Sequence, residues 1–152
     1  MSLSEDIAKL REETGAGVMD CKKALEEAGN DFNKAKAILA TNAGTIAKKK
    51  AERATAEGIV EGYVHAGKIG VLIEVKCESD FVAKNADFKA MAHNLAMQIA
   101  SMSPKDVEEL LSQDYILDSS MKIDDYIKSL IGKIRENIQV TRFVRFELGE
   151  EK

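Results

Sequence analysis

The first 40 residues contain three short runs in which apolar side chains recur at the spacing of a helix. Ser2 and Glu5 have the spacing of a capping box before the first run, Gly15 and Gly29 end the first two, and Asp31 is placed to cap the third. The apolar positions are Leu3, Ile7 and Leu10, then Cys21, Ala24, Leu25 and Ala28, then Phe32, Ala35, Ile38 and Leu39. A small three-helix domain is therefore predicted over residues 1–42.

Residues 43–57 are rich in alanine and charge and have no β-branched residue between Ile46 and Thr55, which predicts a solvated linker helix. The run Lys48–Lys50, followed by Arg53, is basic, but no aromatic residue is interleaved with it to stack on bases. The chain as a whole has a net charge of −4. We therefore expect no direct nucleic-acid binding, and electrostatic steering towards an acidic partner is the better use of this patch.

From residue 58 onwards the pattern changes to alternation, which is typical of strands with one buried face. Strands are predicted at Ile59–His65 and Ile69–Cys77, joined by a hairpin loop at 66–68. A closing strand is predicted to place Ile138, Val140, Val144, Phe146 and Leu148 on one face, with Arg142 as the exception. Three antiparallel strands backed by helices predict an α+β core over residues 58–152.

The helices of this core are predicted from apolar spacing at 87–102 and 123–134. Between them, Ser103 and Pro104 have the pattern of a helix start, with serine as cap and proline at the first position, and the helix would run to Leu111. Residues 113–120 show no period and are predicted to be a loop or a short extended piece.

The stretch Cys77–Asn85 turns the chain from a strand to a helix and places Phe81 beside Asp80. Two interpretations follow from the residues alone. Either Phe81 fills the local core and Asp80 caps the helix, or the ring is exposed as a wedge for a partner protein. The segment 15–19 has the same ambiguity, since Met19 either packs inward beside a tight turn or forms an exposed apolar contact with Val18.

Composition argues against several classes of function. The chain has 152 residues, of which 45% are hydrophobic, and contains no run of about 18 apolar residues that would cross a membrane. The N-terminal residues lack the pattern of a signal peptide, so we expect a cytoplasmic protein without membrane association. Cys21 and Cys77 lack CxxC spacing, and His65 and His93 lack the spacing of metal ligands. No phosphate-binding GxxxxGK[ST] motif is present, so we expect that the chain does not itself bind GTP. Taken together, these observations lead us to expect no metal, no cofactor and no enzyme activity.

Three ordered stretches resemble one protein family. SDFVAKN (Ser79–Asn85), REETGAGVMDCKKALEEAGND (Arg11–Asp31) and TRFVRFELGE (Thr141–Glu150) are similar to the elongation factor Ts family, the guanine-nucleotide exchange factors of bacterial and organellar translation. The resemblance implies that the N-terminal helices form a domain like the ubiquitin-associated domain. It also implies elongation factor Tu, a GTPase, as the partner, and exchange without covalent catalysis.

The resemblance further implies two partner-binding segments. One is the loop that displaces Mg²⁺ from the partner, with Ser79, Asp80, Phe81 and Val82. The other is the N-terminal loop, with Arg11, Gly15, Ala16, Gly17, Val18 and Met19, where the family often has Met in place of Val18. In the family, the Asp-Phe-Val loop enters beside the nucleotide pocket, and Phe81 would be the wedge while Asp80 disturbs the water shell of the ion.

Longer family members repeat the core and add a helical insertion, whereas this chain carries one core copy. A homodimer would supply the missing contacts, and the closing strand offers an edge for pairing. The alternative function is a helical scaffold module that binds another protein and has no exchange activity.

Overall fold

A computed structural model of the chain describes residues 2–150. The N-terminal part consists of the helices α1 (Leu3–Thr14), α2 (Val18–Glu27) and α3 (Phe32–Lys50). The predicted caps are present, since the Ser2 side chain accepts from the Glu5 N–H and the Asp31 side chain accepts from the Lys34 N–H. Residues 1–51, together with 128–135, form one compact unit.

Small and apolar side chains from the three helices meet in one core. It consists of Leu10, Cys21, Ala24, Leu25, Ala35 and Leu39, with Ile7, Phe32 and Ile38 packed at its border. Helical spacing predicts this set, but it also placed Leu3 on the same face, and Leu3 is 46% exposed. Its resemblance to a ubiquitin-associated domain stays a prediction.

The predicted linker helix differs from the structure in its limits. α3 is a single helix through Lys50, so the third helix and the start of the linker are continuous. The residues that follow are turn and extended chain, and the first strand already begins at Glu57. Helix-favouring residues at 46–50 extend the preceding helix, since no glycine–proline signal stops it. The proposed domain boundaries, 1–42, 43–57 and 58–152, stay a prediction.

The second compact unit, residues 52–127 and 136–152, is built on a three-stranded antiparallel sheet. Its strands are β1 (Glu57–His65), β2 (Ile69–Cys77) and β5 (Gln139–Glu147), in the order β1-β2-β5. β1 and β2 form the predicted hairpin, whose turn residues Ala66 and Gly67 both have positive φ, as the tight turn between two twisted strands requires. The α+β fold predicted from the sequence is thus confirmed.

The closing strand departs from the predicted pattern. Glu74 pairs with Arg142 but Val75 pairs with Val140, so Thr141 forms a bulge in β5. The extra residue reverses the faces, because Val140 lies opposite the buried Val75 while Val144 lies opposite the exposed Leu72. The prediction of one continuous apolar face on β5 was therefore wrong.

Three helices accompany this sheet: α4 (Asp80–Ala83), α5 (Ala86–Met102) and α6 (Val107–Ser112). A further helix, α7 (Ile123–Ile134), has residues in both compact units. α5 packs on β1 and β2 and buries Phe88, Met91, Leu95 and Ile99. The predicted helix start at Ser103 was wrong. Ser103 is the left-handed cap that ends α5, and α6 begins after Asp106, whose carboxylate accepts from the Glu109 N–H at 2.8 Å.

A second, two-stranded sheet was not predicted. β3 (Asp114–Tyr115) pairs with β4 (Asp118–Lys122) where a loop or extended piece was expected. The fully buried Gln98 side chain of α5 donates to the Asp114 carbonyl and accepts from the Ile116 N–H, at 3.0 and 2.9 Å. This distant amide satisfies the hairpin backbone, so the hairpin needs no apolar period of its own.

No helix among residues 2–150 combines the length and hydropathy that a membrane span requires.

Candidate functional site

The Phe81 loop, residues 77–85, is a corner with two successive helix caps. β2 ends at Cys77, the single turn α4 follows, and α5 begins at Ala86. The Ser79 hydroxyl accepts from the Val82 N–H at 3.3 Å and caps α4. Asn85 caps α5 by accepting from two N–H groups of the first turn, at 2.8 and 3.1 Å. Asp80 is therefore not the cap that the core interpretation required.

The ring of Phe81 projects from this corner into solvent. It is 90% exposed, whereas the next residues, Val82 and Ala83, are buried. The core position is occupied instead by Phe88, which is fully buried in α5. The interpretation of Phe81 as a core residue is thus excluded, and the loop presents an apolar ring on a buried base. The Asp80 carboxylate beside it is exposed and pairs with Lys84 at 3.1 Å.

The backbone before α4 is held by the carboxylate of Glu136. One oxygen of Glu136 accepts from the N–H groups of Glu78 and Ser79, at 3.0 and 2.9 Å, and the other accepts from the Ser79 hydroxyl. Hydrogen bonds to an ionised acceptor are among the strongest that a protein makes. Glu136 therefore fixes both the backbone and the hydroxyl of the residue that caps α4.

The contact is reciprocal. The Glu78 carboxylate accepts from the Asn137 N–H at 2.6 Å and forms an ion pair with Arg53 at 3.4 Å. The Asn137 side chain in turn donates to the Arg53 carbonyl at 2.8 Å. We call this set, Arg53, Glu78, Ser79, Glu136 and Asn137, the carboxylate clamp.

A buried thiol lies beneath the Phe81 loop. The Cys77 Sγ donates to the Ser79 carbonyl at 3.3 Å. Burial raises the pKa of this thiol to about 11, with a further contribution from the Glu136 charge. A thiol that keeps its proton at neutral pH is a poor nucleophile, so Cys77 supports the loop rather than reacting.

The Met19 loop, residues 15–19, lies in the other compact unit and is built differently. Gly15 has a φ of 73° and its N–H donates to the Arg11 carbonyl at 2.8 Å, which ends α1. Gly17 is extended and begins α2 without a side-chain cap. Met19 is 60% exposed and Val18 is also exposed, so the inward position for Met19 is excluded.

The base of the Met19 loop is also a cysteine. Ala16 packs against the helical core, and the Cys21 Sγ donates to its carbonyl at 3.8 Å. Burial raises the pKa of Cys21 above its ordinary value. Arg11 itself is exposed on the last turn of α1.

The two histidines, His65 and His93, lie outside both loops. Tyr63 and His65 share a hydrogen bond of 2.8 Å, and His93 lies 4.0 Å from Glu61, all at exposed or half-buried positions. Within residues 2–150, no three His, Cys, Asp or Glu side chains are placed to hold a metal ion.

The carboxylate clamp was not predicted from the sequence. Glu136 and Asn137 lie more than 50 residues from the loop that they hold, and neither has a local motif. A carboxylate in a short connection between a helix and a strand is an ordinary surface pattern, so only the pairing of β5 with β2 reveals its neighbours.

Comparison with known proteins identifies relatives along almost the whole chain. A family model described as Elongation factor TS matches residues 78–152. A protein of Thermotoga neapolitana named Elongation factor Ts is 44% identical over an alignment of 196 residues. The alignment covers 99% of this chain and 100% of the relative. Proteins of the same name from Coprothermobacter proteolyticus and Thermodesulfovibrio yellowstonii are 41% and 38% identical, over 99% and 95% of this chain and 100% and 94% of theirs.

Proposed function

The chain belongs to the elongation factor Ts family of translation elongation factors, and from this premise we propose that it binds elongation factor Tu in its GDP form and accelerates GDP release. One observation carries the proposal. Phe81 is 90% exposed on a corner in which Val82 and Ala83 are buried and the Ser79 backbone is hydrogen-bonded to Glu136. A large ring fully exposed on an ordered base is what insertion into a partner requires.

The proposed mechanism is thermodynamic linkage without covalent chemistry. The exchange factor binds the nucleotide-free partner more tightly than the GDP form. Its binding must therefore lower the affinity of the partner for GDP, and GDP must lower the affinity of the partner for the exchange factor by the same ratio. Phe81 enters beside the nucleotide pocket, and the exposed Asp80 carboxylate disturbs the water shell of the partner's Mg²⁺. Without the cation the phosphate charges are less compensated and GDP leaves.

The other residues of the proposed site have supporting parts. Val82 is buried and anchors the loop, and Ser79 caps α4. The Met19 loop supplies a second, apolar contact through Val18 and Met19.

Exchange kinetics test the proposal. Elongation factor Tu loaded with fluorescent GDP is mixed with the chain and excess unlabelled GDP, and release is followed by stopped flow. The wild-type chain is expected to accelerate release and the Phe81→Ala variant to do so at least about tenfold less. Leu117→Ala, which truncates another exposed apolar residue, is the matched control and should behave as wild type. Binding without acceleration by the wild-type chain would favour the scaffold alternative.

We also propose that the chain forms a homodimer through the outer face of its sheet. Apolar residues of all three strands are exposed on this face, beside the Glu74–Arg142 ion pair. They are Val60, Val64, Leu72, Val144 and Phe146. The pair Leu72–Val144 places two of these side chains side by side, and Gly70 pairs with both Val64 and Phe146. Two such faces pack on each other as the layers of a β-sandwich do, whereas pairing through the β5 edge would leave the face in water.

Sedimentation tests the assembly. Wild type is expected at twice the monomer mass at micromolar concentration, and as a 2:2 complex with elongation factor Tu. Phe146→Asp should give a monomer, while Leu117→Asp, outside the sheet, should leave the mass unchanged. A monomeric wild type with a 1:1 complex would contradict the proposed dimer.

The cytoplasm is the compartment we propose, because both cysteines, Cys21 and Cys77, are free and buried rather than paired. No direct binding to nucleic acid or membrane is part of the proposed mechanism.

A further inference from the structure

We propose that Glu136 is a positioning residue for exchange: its carboxylate sets the direction in which the Phe81 ring leaves the corner. This inference rests on the proposed function. Glu136 does not need to touch elongation factor Tu, since it acts through the cap of α4.

The first reason is that α4 cannot hold itself. It has four residues, Asp80–Ala83, and a single helical turn costs more conformational entropy than its hydrogen bonds return. The ring of Phe81 is 90% exposed, so packing does not fix its direction. The direction of the Phe81 Cα–Cβ bond therefore depends on the backbone of α4, which is held by the burial of Val82 and Ala83 and, at its start, by Glu136.

The second reason is the position of the Glu136 carboxylate. It receives the two successive N–H groups that precede α4, those of Glu78 and Ser79, at 3.0 and 2.9 Å. It also accepts a hydrogen bond from the Ser79 hydroxyl. This hydrogen bond orients the lone pairs of the hydroxyl oxygen towards the Val82 N–H. One side chain thus fixes the backbone entering the turn and the hydroxyl that caps it.

The third reason is that Glu136 is itself held. The following N–H, that of Asn137, donates to the Glu78 carboxylate at 2.6 Å, and Arg53 pairs with the same carboxylate. The two segments therefore hold each other, and Arg53 compensates part of the Glu78 charge. A loop ordered before binding loses less entropy on contact, which favours the exchange-active complex.

Amide hydrogen exchange measured by NMR tests the hold of Glu136 without any partner. In Glu136→Ala, the amides of Glu78, Ser79 and Val82 are expected to exchange at least about tenfold faster, while the amide of Ile73 in the adjoining strand is unchanged. The amide exchange rates in Glu136→Gln should lie between those of wild type and Glu136→Ala, because the glutamine amide oxygen still accepts but carries no charge. The matched control is Glu109→Gln, which removes another carboxylate that accepts a backbone N–H, that of Lys105. It should leave the loop amides unchanged.

A double-mutant cycle tests the link to function. Glu136→Ala is expected to slow GDP release from elongation factor Tu at least about fivefold, and Glu136→Gln to recover part of the rate. In the Phe81→Ala background, Glu136→Ala should have no further effect, because the ring that it positions is absent. Ser79→Ala, which removes the cap and a donor to Glu136, should reproduce the effect if Glu136→Ala is too unstable to assay.

The outcomes separate this inference from the proposed function. Unchanged loop amides in Glu136→Ala would overturn the positioning role, as would a loss of rate that adds to that of Phe81→Ala. A wild-type chain that does not accelerate GDP release would overturn the proposed function, including the role of Phe81 in exchange. In that case the amide measurement would still show whether Glu136 orders the corner.

Discussion

The two loops that present apolar side chains are alike at their base and different in what holds them. Met19 and Phe81 are both exposed, and each loop rests on a buried cysteine whose thiol donates to a loop carbonyl, at 3.8 Å from Cys21 and 3.3 Å from Cys77. The Met19 loop is held by nearby residues, through the Gly15 cap and the packing of Ala16 on the helical core. The Phe81 loop is held by the carboxylate clamp, which comes from far along the chain.

Because they are held differently, the two loops should respond differently to substitution. A loop held by its own caps and core yields only when its unit is destabilised. A loop held by charge-assisted hydrogen bonds from a distant segment can lose its order while the core stays folded. Substitutions can therefore distinguish the exposed side chain of each loop from the residues that hold the loop.

Truncation of two nearby phenylalanines gives the largest contrast. Phe88→Ala should lower the free energy of unfolding by about 3–5 kcal/mol, because it empties a core position. Phe81→Ala should change it by less than about 1 kcal/mol, since the ring is exposed. Chemical denaturation of both variants measures this. A Phe81→Ala protein that melts far below wild type and yet exchanges GDP normally would contradict the assignment of Phe81 as the wedge.

A charge in the Met19 loop comes next. Met19→Asp should weaken binding to elongation factor Tu by about 3 kcal/mol, roughly a hundredfold, since it places an unpaired carboxylate in an apolar contact. Isothermal titration measures the affinity. Leu3→Asp, an exposed position on α1 outside the loop, is the control and should bind normally. Unchanged affinity in Met19→Asp would mean that the segment is only a turn, and a collapsed thermal melt would mean that Met19 supports the core.

The Gly15 cap tests how the Met19 loop is held. Gly15→Ala should cost about 1 kcal/mol of stability, because a φ of 73° is unfavourable for a residue with a Cβ. The added atom would also lie 2.8 Å from the Lys133 side chain. Gly29→Ala is the matched control, with a φ of 62° and no atom within 4 Å of the added Cβ. Equal losses would assign the cost to the backbone alone, and a larger loss at Gly15 would add the lysine contact.

The last comparison concerns the buried thiols. The folded-state pKa of Cys77 is raised to about 11, so the folded chain holds this proton more tightly than the unfolded chain. The resulting stabilisation is present below the pKa of an unfolded thiol, about 8.5, and is lost as the pH rises to about 11. Across this pH range, wild type should therefore lose stability relative to Cys77→Ala. Urea denaturation at pH 8 and pH 10.5 measures it, and a constant difference would contradict the raised pKa.

The sequence predicted what depends on neighbours in the chain. Helical spacing and caps gave the core of the N-terminal unit, and alternation gave the β1–β2 hairpin. It missed what depends on distant partners. The bulge at Thr141 reversed the faces of β5, Gln98 ordered the β3–β4 hairpin, and Glu136 held the Phe81 loop. Spacing alone also left Phe81 undecided, because an apolar ring at a corner suits a core and a contact equally well.

The register of the sheet has a consequence for the order of folding. β1 and β2 are joined by a tight turn, so they pair as soon as both have been synthesised. β5 pairs with β2 only after the chain between Lys76 and Gln139 has closed, and Glu136 lies in the connection just before β5. On the ribosome, where chains grow at about 5–20 residues per second, the Phe81 corner must wait several seconds for its clamp. We therefore expect this corner to be the last part of the second unit to reach its final structure.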